Sequence, residues 1–271
     1  MEKFNKSPKL FDENGWRIPN GIYETFSEKP KWFFKLGDNL FDDKTAIERI
    51  YKYQKIKNET NCMEALNKVA NNINSNTIFR DINKGLKVPF VIEKTKFDDI
   101  GSYFEENLLE QVSNSFTDFH PESHFKAIIQ DKTDLKKKLF PTKNSGYDDF
   151  INRLSKSNIC GYYFPQVLQE YSVEAQITQM IDLKNIPDIC LSGPIEVSSS
   201  LIGNPNLLIN KKYYSPVLCL SGVSHIDDRL ISCFKSYGKH LEFWCLSQML
   251  SKDKKQVSEQ WTGGLSIYTE Y

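Results

Sequence analysis

The chain has 271 residues, and its 35 basic side chains balance its 35 acidic ones, so the net charge is zero when histidine is neutral. That balance argues against a dedicated nucleic-acid or anionic-membrane binder, because such proteins usually carry a surplus of positive charge. Hydrophobic residues make up 39% of the chain and charged residues 26%, which is ordinary globular usage and excludes a disordered composition. The length predicts one or two folded domains.

Lysine dominates the basic side chains, because only five of the 35 are arginine. The lysines are densest between residues 132 and 143. Neutrality is therefore a sum over the whole chain, and it leaves room for a local basic surface. The arginines are scarce, and we expect their rigid guanidinium forks to be used for specific contacts, that of Arg229 above all.

The six cysteines include no C-x-x-C pair, and most lie within apolar runs such as ICL and ISCF. This usage is typical of free cysteines that pack as small hydrophobic residues in a reducing compartment. The first fifteen residues lack the apolar core of a secretory signal, and no stretch approaches the roughly 18 apolar residues of a membrane span. We therefore expect a soluble cytoplasmic protein that does not insert into membranes.

Residues 1–84 predict an irregular arm followed by a helical hairpin. The first 40 residues show no regular period, but aromatic side chains such as Trp16 require burial, so we expect the arm to be ordered. Thr45-x-x-Glu48 has the pattern of a capping box at the start of an amphipathic helix. A second apolar stripe, from Cys62 to Ile73, predicts the other helix of the hairpin.

Residues 85–271 alternate between strand and helix patterns, which predicts an α/β to α+β fold with a mixed sheet flanked by helices. Pro89 places the first of these strands at a sheet edge or a bulge. The strongest helical period runs from residue 100 to residue 119 and ends at His120-Pro121. The last 45 residues predict antiparallel strands, with a hairpin turn at Tyr237-Gly238-Lys239. The two regions form either two domains or one continuous globular unit.

A repeated tetrapeptide, CLSG, provides the first candidate site. Residues 189–193 read ICLSG and residues 218–222 read LCLSG, and each copy ends a predicted buried strand. If the two strands are parallel, both Ser-Gly turns lie at the carboxyl edge of the sheet, where open α/β sheets bind ligands. The first turn also opens a helix, whose free N–H groups can bind an anion. Two unrelated strand ends are the alternative explanation.

Polar residues are concentrated around the second of these turns. Ser221, His225 and Asp227 are the candidate catalytic residues, because these residue types perform nucleophilic hydrolysis when they meet in space. The candidate ligand-binding residues are Ser192, Gly193, Gly222 and Arg229. The G-x-S-x-G elbow of serine hydrolases is absent, and the aspartates of this turn serve equally well as acceptors for its backbone N–H groups. Gly263-Gly264 predicts a further turn before the last strand.

Asp118, His120 and His124 form a second polar cluster and are the candidate metal ligands. Their spacing can present them to a divalent metal, but no third protein ligand for zinc can be assigned. With Gln130-x-Lys132, Asp118 also loosely imitates a two-carboxylate nuclease, although glutamine is a poor ligand for Mg²⁺. The alternative is a polar loop between a helix and a strand. Because no glycine-rich nucleotide motif occurs, a divalent metal is the one cofactor left open.

The segment from Lys29 to Lys35 interleaves cations with three consecutive aromatic residues. Single-strand nucleic-acid binders show such patterns, but three aromatics in a row are more typical of a strand packed on a core. We therefore expect a binding or interaction protein without a recognisable catalytic motif, whose partner is a protein or a small molecule rather than nucleic acid. The alternative is a hydrolase-like enzyme, in one variant metal-dependent and in another a nuclease, with its site at the carboxyl edge of the sheet.

Overall fold

A computed structural model of the chain describes residues 9–19, 34–56, 62–78, 80–183, 186–247 and 260–271. The strands are β1 (Val88–Ile92), β2 (Phe125–Ile129), β3 (Leu139–Pro141), β4 (Ile159–Gln169), β5 (Ile189–Leu191), β6 (Val217–Cys219), β7 (Val223–His225), β8 (Leu230–Tyr237), β9 (His240–Ser247) and β10 (Trp261–Glu270). The α-helices are α1 (Asp43–Gln54), α2 (Cys62–Ser75), α3 (Ile100–Tyr103), α4 (Leu109–Phe119), α5 (Tyr147–Leu154), α6 (Val173–Leu183) and α7 (Pro194–Gly203). A π-helical turn, Phe104–Leu108, joins α3 to α4.

The described strands form one mixed sheet of eight strands and one small pair. The order in the large sheet is β1-β4-β10-β6-β8-β9-β2, and β5 also pairs with β10. Most neighbours are antiparallel, whereas β6 with β10 and β2 with β9 are parallel. With helices in the N-terminal region and strands at the C-terminus, this is the α+β arrangement that the sequence predicts. β1 is an edge strand, as Pro89 requires.

Helix α7 is buried along its entire length, although it carries a glutamate and three consecutive serines. The serines lie against β1, whose outer edge would otherwise leave backbone groups without partners. The Ser199 hydroxyl accepts a hydrogen bond from the Val91 N–H at 3.1 Å and donates one to the Val91 carbonyl at 2.8 Å. The next serine donates to the carbonyl of Pro89 at 3.4 Å. The helix therefore completes the edge of the sheet with its side chains.

The two N-terminal helices pack on different elements. α1 lies on α7, α4 and β1, whereas α2 lies on β4 and β10. A single hydrophobic cluster contains residues from before and after residue 85, including Ile50 and Phe164. The Thr45-x-x-Glu48 capping box is wrong, because α1 begins at Asp43 and the Asp42 carboxylate accepts the hydrogen bond from the Thr45 N–H at 2.8 Å.

Other local signals have mixed outcomes. The long helix ends at Phe119 as predicted, and Tyr237 pairs with His240 across the expected hairpin turn. The Gly263-Gly264 turn is wrong, because both glycines lie inside β10. A Cβ atom on Gly264 would lie 2.1 Å from the ring of Tyr163, so the glycine serves close packing. All six cysteines are free and buried, and no described helix is long and apolar enough to cross a membrane.

The serines of α7 offer a matched test of this edge. Ser199→Ala removes the partner of a buried N–H group and is expected to lower the free energy of unfolding by about 1 to 3 kcal/mol. The hydroxyl of its neighbour Ser198 is equally buried but has no hydrogen-bond partner among the described residues. Ser198→Ala should therefore change stability by less than about 0.5 kcal/mol. Urea unfolding of both variants measures the difference, and equal losses would contradict this role of Ser199.

Candidate functional site

The two Ser-Gly turns meet at the middle of β10. β5 runs antiparallel to β10 and β6 runs parallel to it, so the two short strands lie end to end along one side of β10 with their carboxyl ends facing each other. The strands are therefore antiparallel to each other, so the parallel arrangement on which a shared carboxyl edge depended does not occur. The turns nevertheless touch, because the Gly222 N–H donates to the Ser192 carbonyl at 2.9 Å. A Cβ atom on Gly222 would lie 2.4 Å from a backbone oxygen, which restricts this position to glycine.

The first turn lies in the interior. Ser192 is fully buried, and its hydroxyl oxygen lies 2.8 Å from that of Ser266 on β10. The N–H of Gly193, at the start of α7, donates to Oε1 of Glu196 at 2.6 Å, and the Ser266 hydroxyl lies 3.2 Å from the same oxygen. The helix N-terminus that could have bound an external anion therefore holds a carboxylate of the protein itself.

Tyr147 on α5 closes this network from the other side. Its hydroxyl donates to Oε2 of Glu196 at 3.0 Å and accepts from the Ile195 N–H at 3.2 Å. A Cβ atom at residue 193 would lie 2.3 Å from the Tyr147 ring, so glycine is needed there for the ring to approach. Complete burial raises the pKa of Glu196 to about 7, against the opposing effect of these hydrogen bonds.

The second turn borders an open groove of about 400 Å³, which we call the Ser221 groove. One wall is the start of α6, with Val173 and Ile177, and the other is the chain from the second turn to the start of β8. Trp261 of β10 also lines it. Ser221 is 3% exposed, and its hydroxyl has no hydrogen-bond partner among the described residues. A buried hydroxyl without a partner has lost its water contacts uncompensated, which a bound molecule would remedy.

His225 lines the same groove. Its Nδ1 atom accepts a hydrogen bond from the Asp227 N–H at 2.9 Å, so in the neutral imidazole the proton is on Nε2. Burial lowers the pKa of His225, which favours that neutral form. In a Ser-His-Asp triad the opposite tautomer is required, because Nδ1–H donates to the aspartate and Nε2 takes the proton of the serine. Here the imidazole presents a donor.

The side chain of Asp227 is bound to Arg229 instead of to the histidine. The guanidinium donates to both carboxylate oxygens, from Nε at 2.9 Å and from Nη2 at 2.6 Å. These bonds hold the pKa of Asp227 well below its usual range. The specific contact expected of Arg229 is therefore made within its own turn. The carboxylate of Asp227 is bound there and does not orient His225 or face Ser221.

The three candidate metal ligands have separate partners. The Asp118 carboxylate accepts hydrogen bonds from the Tyr53 hydroxyl and from Lys52, and His120 packs against neighbouring phenylalanine rings. His124 stacks on His240, with ring centroids 3.6 Å apart. In the described part of the chain, no group of three or more histidine, cysteine or acidic side chains is placed to hold a metal ion. Gln130, the nuclease-like residue, accepts the N–H of Ser247 through its side chain.

Tyr147 and Glu196, which form the buried network beside the first turn, are not among the residues that the sequence predicts for the site. One signal was available, because a glutamate three residues after the start of a helix is the second half of a capping box. Here Glu196 follows Gly193-Pro194 at that spacing. Nothing local to Tyr147 indicates that α5 approaches this helix end. The wall that α6 contributes to the Ser221 groove also depends on a contact between elements distant in sequence.

A pair of tyrosines tests the network. Tyr147→Phe leaves the Ile195 N–H and the Glu196 carboxylate each short of a buried partner, and is expected to reduce the free energy of unfolding by about 1 to 3 kcal/mol. The hydroxyl of Tyr163 is also buried but has no partner among the described residues. Tyr163→Phe is therefore the control and should be neutral or slightly stabilising. Chemical denaturation distinguishes the two, and a larger loss in the control would contradict the network.

Comparison of the chain with protein-family models, with curated proteins and with solved structures found no match. The geometry separates the two Ser-Gly turns, since the turn at Ser192 is enclosed by a hydrogen-bonded network and the turn at Ser221 borders an open groove. The Ser221 groove is the candidate functional site.

Proposed function

We propose that the protein is a binding protein that holds a small molecule in the Ser221 groove without transforming it. The observation that carries this proposal is the Ser221 hydroxyl, buried and without a described partner at the wall of an open groove. The Ser221 groove has a volume of about 400 Å³, which lies within the range of small-molecule sites, roughly 300 to 1,000 Å³. A ligand that accepts a hydrogen bond from this hydroxyl offsets the cost of its burial.

The lining indicates the chemistry of the ligand. Val173, Ile177 and Trp261 provide an apolar wall, while Ser221 and the Nε2–H of His225 provide donors. Among the described residues, the acidic lining residues are Glu174 and Asp228, and the one cationic lining residue, Arg229, is bound to Asp227. This charge distribution disfavours an anion. The proposed ligand is therefore a neutral molecule with an apolar body and a carbonyl-type acceptor.

The hydrolase-like alternative is favoured by one observation, the presence of Ser221 and His225 in the same groove. Two contacts weigh against it. Nδ1 of the imidazole is occupied as an acceptor, and the Asp227 carboxylate is occupied by Arg229. A general base at Nε2 would need the opposite tautomer and a different orienting group. Binding requires neither change.

A groove-filling variant tests the proposal. Neutral, anionic and cationic aromatic fragments of matched size are screened by NMR on protein labelled at its isoleucine and valine methyl groups. Neutral carbonyl-bearing fragments are expected to shift the methyl signals of Val173 and Ile177. Ile177→Trp fills the groove and should weaken their binding at least about tenfold, a loss of about 1.4 kcal/mol. Ile181→Trp is the matched control, because Ile181 lies one turn further along α6, is 57% exposed and is outside this groove.

Ser221→Ala adds a second measurement. Its hydroxyl bonds to no described group, so the variant should be as stable as the wild type or slightly more stable, while the fragments bind about two- to tenfold more weakly. Fragments that prefer the anionic class, or that bind equally to the Ile177→Trp and Ile181→Trp variants, would contradict the proposal. Turnover of an ester fragment that is abolished by Ser221→Ala would favour the hydrolase instead.

A further inference from the structure

A second groove, of about 510 Å³, is lined by aromatic and lysine side chains and lies apart from the Ser221 groove. We call it the tyrosine–lysine face. Its aromatic and basic residues are Phe34, Lys211, Lys212, Tyr213, Tyr214, Lys235 and Tyr237. No acidic residue lines it in the described part of the chain. The charge balance of the whole chain therefore conceals a local basic surface of the kind that the lysine excess allows.

The tyrosines of this face are unusually open to solvent. Tyr213 is 41% exposed, Tyr214 68% and Tyr237 71%. Large aromatic side chains normally bury most of their surface, so three exposed rings around one groove suggest a contact surface. The Ser221 groove differs from this arrangement, since Trp261, which lines it, is buried.

Backbone contacts hold the main chain that carries these rings. The Lys35 N–H donates to the Tyr214 carbonyl at 2.9 Å, and the Phe34 and Tyr214 rings lie 6.2 Å apart. Tyr237 is the last residue of β8, and its main chain pairs with that of His240. The backbone of this face therefore needs little ordering when a flat molecule stacks on its rings, which favours binding.

Cations lie next to the aromatic faces. The Nζ atom of Lys35 is 4.2 Å from the centroid of the Tyr213 ring, and that of Lys235 is 3.7 Å from the Trp244 ring. The one acidic residue paired in register with this part of the sheet is Glu242, opposite Lys235, and it accepts the indole N–H of Trp244. Exposed rings with interleaved lysines can stack bases and contact phosphates together.

We propose that the tyrosine–lysine face binds single-stranded nucleic acid. Bases stack on Tyr214 and Tyr237, and Lys211 and Lys212 contact the phosphates. A duplex is a poor occupant, because its bases are already stacked on one another and present no free ring face to a tyrosine. The contacts are to the faces of the bases and to the charged phosphate backbone, so binding depends little on the nucleotide sequence. The proposal differs from the expectation, drawn from net charge, of a protein or small-molecule partner rather than nucleic acid.

Fluorescence anisotropy on the full chain tests the proposal. The probes are fluorescein-labelled oligothymidylate and oligouridylate of about 12 nucleotides, which is within the site size of single-strand binders, and a duplex of the same length. At about 50 mM salt both single strands should bind more tightly than the duplex. Tyr214→Ala and Tyr237→Ala should each weaken single-strand binding by about fivefold or more. Tyr214→Trp, which keeps a stacking surface, should retain it.

The charge contribution has its own variant and control. The double variant Lys211→Glu/Lys212→Glu should weaken binding and reduce the slope of log affinity against log salt by about 1.4, which corresponds to two phosphate contacts. Lys136→Glu/Lys137→Glu makes the same change in charge within the lysine-rich segment, and Phe140→Ala removes an aromatic side chain there that is 47% exposed. Both controls should bind as the wild type does.

Three outcomes would overturn the proposal. The first is no single-strand binding at low salt, which leaves a protein partner as the occupant of this face. The second is equal weakening by the Lys136→Glu/Lys137→Glu control, which indicates that the nucleic acid is attracted to lysine side chains in general. The third is tighter binding of the duplex than of either single strand.

Discussion

The structure depends on the carboxylate of Glu196 at the N-terminus of α7. That helix is enclosed by the sheet and by other helices, so water does not reach the N–H groups of its first turn. The carboxylate accepts from the Gly193 N–H and from Ser266 on β10, and Tyr147 brings α5 to the same point. One buried acidic group therefore joins a turn, a strand and two helices. A glutamate so placed costs desolvation, which its hydrogen bonds and the helix dipole offset only in part, so its pKa stays raised to about 7.

The same point of the fold separates the interior from the candidate site. The carboxyl ends of β5 and β6 meet beside β10, and close packing there leaves room for glycine alone at residues 193, 222 and 264. On one side the network of Glu196 fills all the space, and on the other the chain turns outward along the Ser221 groove. The two copies of the CLSG repeat thus differ in their surroundings. One copy closes the core, and we propose that the other borders a ligand.

Local signals predict several of the elements, because periodicity and turn residues act over a few neighbours. The edge position of β1, the helix ending at Phe119 and the last hairpin follow from such signals. The burial of α7 does not, since its serines resemble a solvated face until β1 is seen to need them. The candidate catalytic residues Ser221, His225 and Asp227 lie close in sequence but are not all brought together. Ser221 and His225 share a groove, whereas Asp227 turns to Arg229, because a partner two residues away is reached at little entropic cost.

The pH dependence of stability, compared between the wild type and Glu196→Gln, tests the role of Glu196 most directly. The folded-state pKa is raised from 4.5 to about 7, so between these values the folded protein holds a proton that the unfolded chain releases. The stability of the wild type relative to the variant should therefore be greatest below pH 4.5 and fall by about 3 kcal/mol as the pH rises to 7, then stay constant. A difference that is flat, or that grows as the pH rises, would contradict a buried glutamate whose ionisation is opposed by its burial.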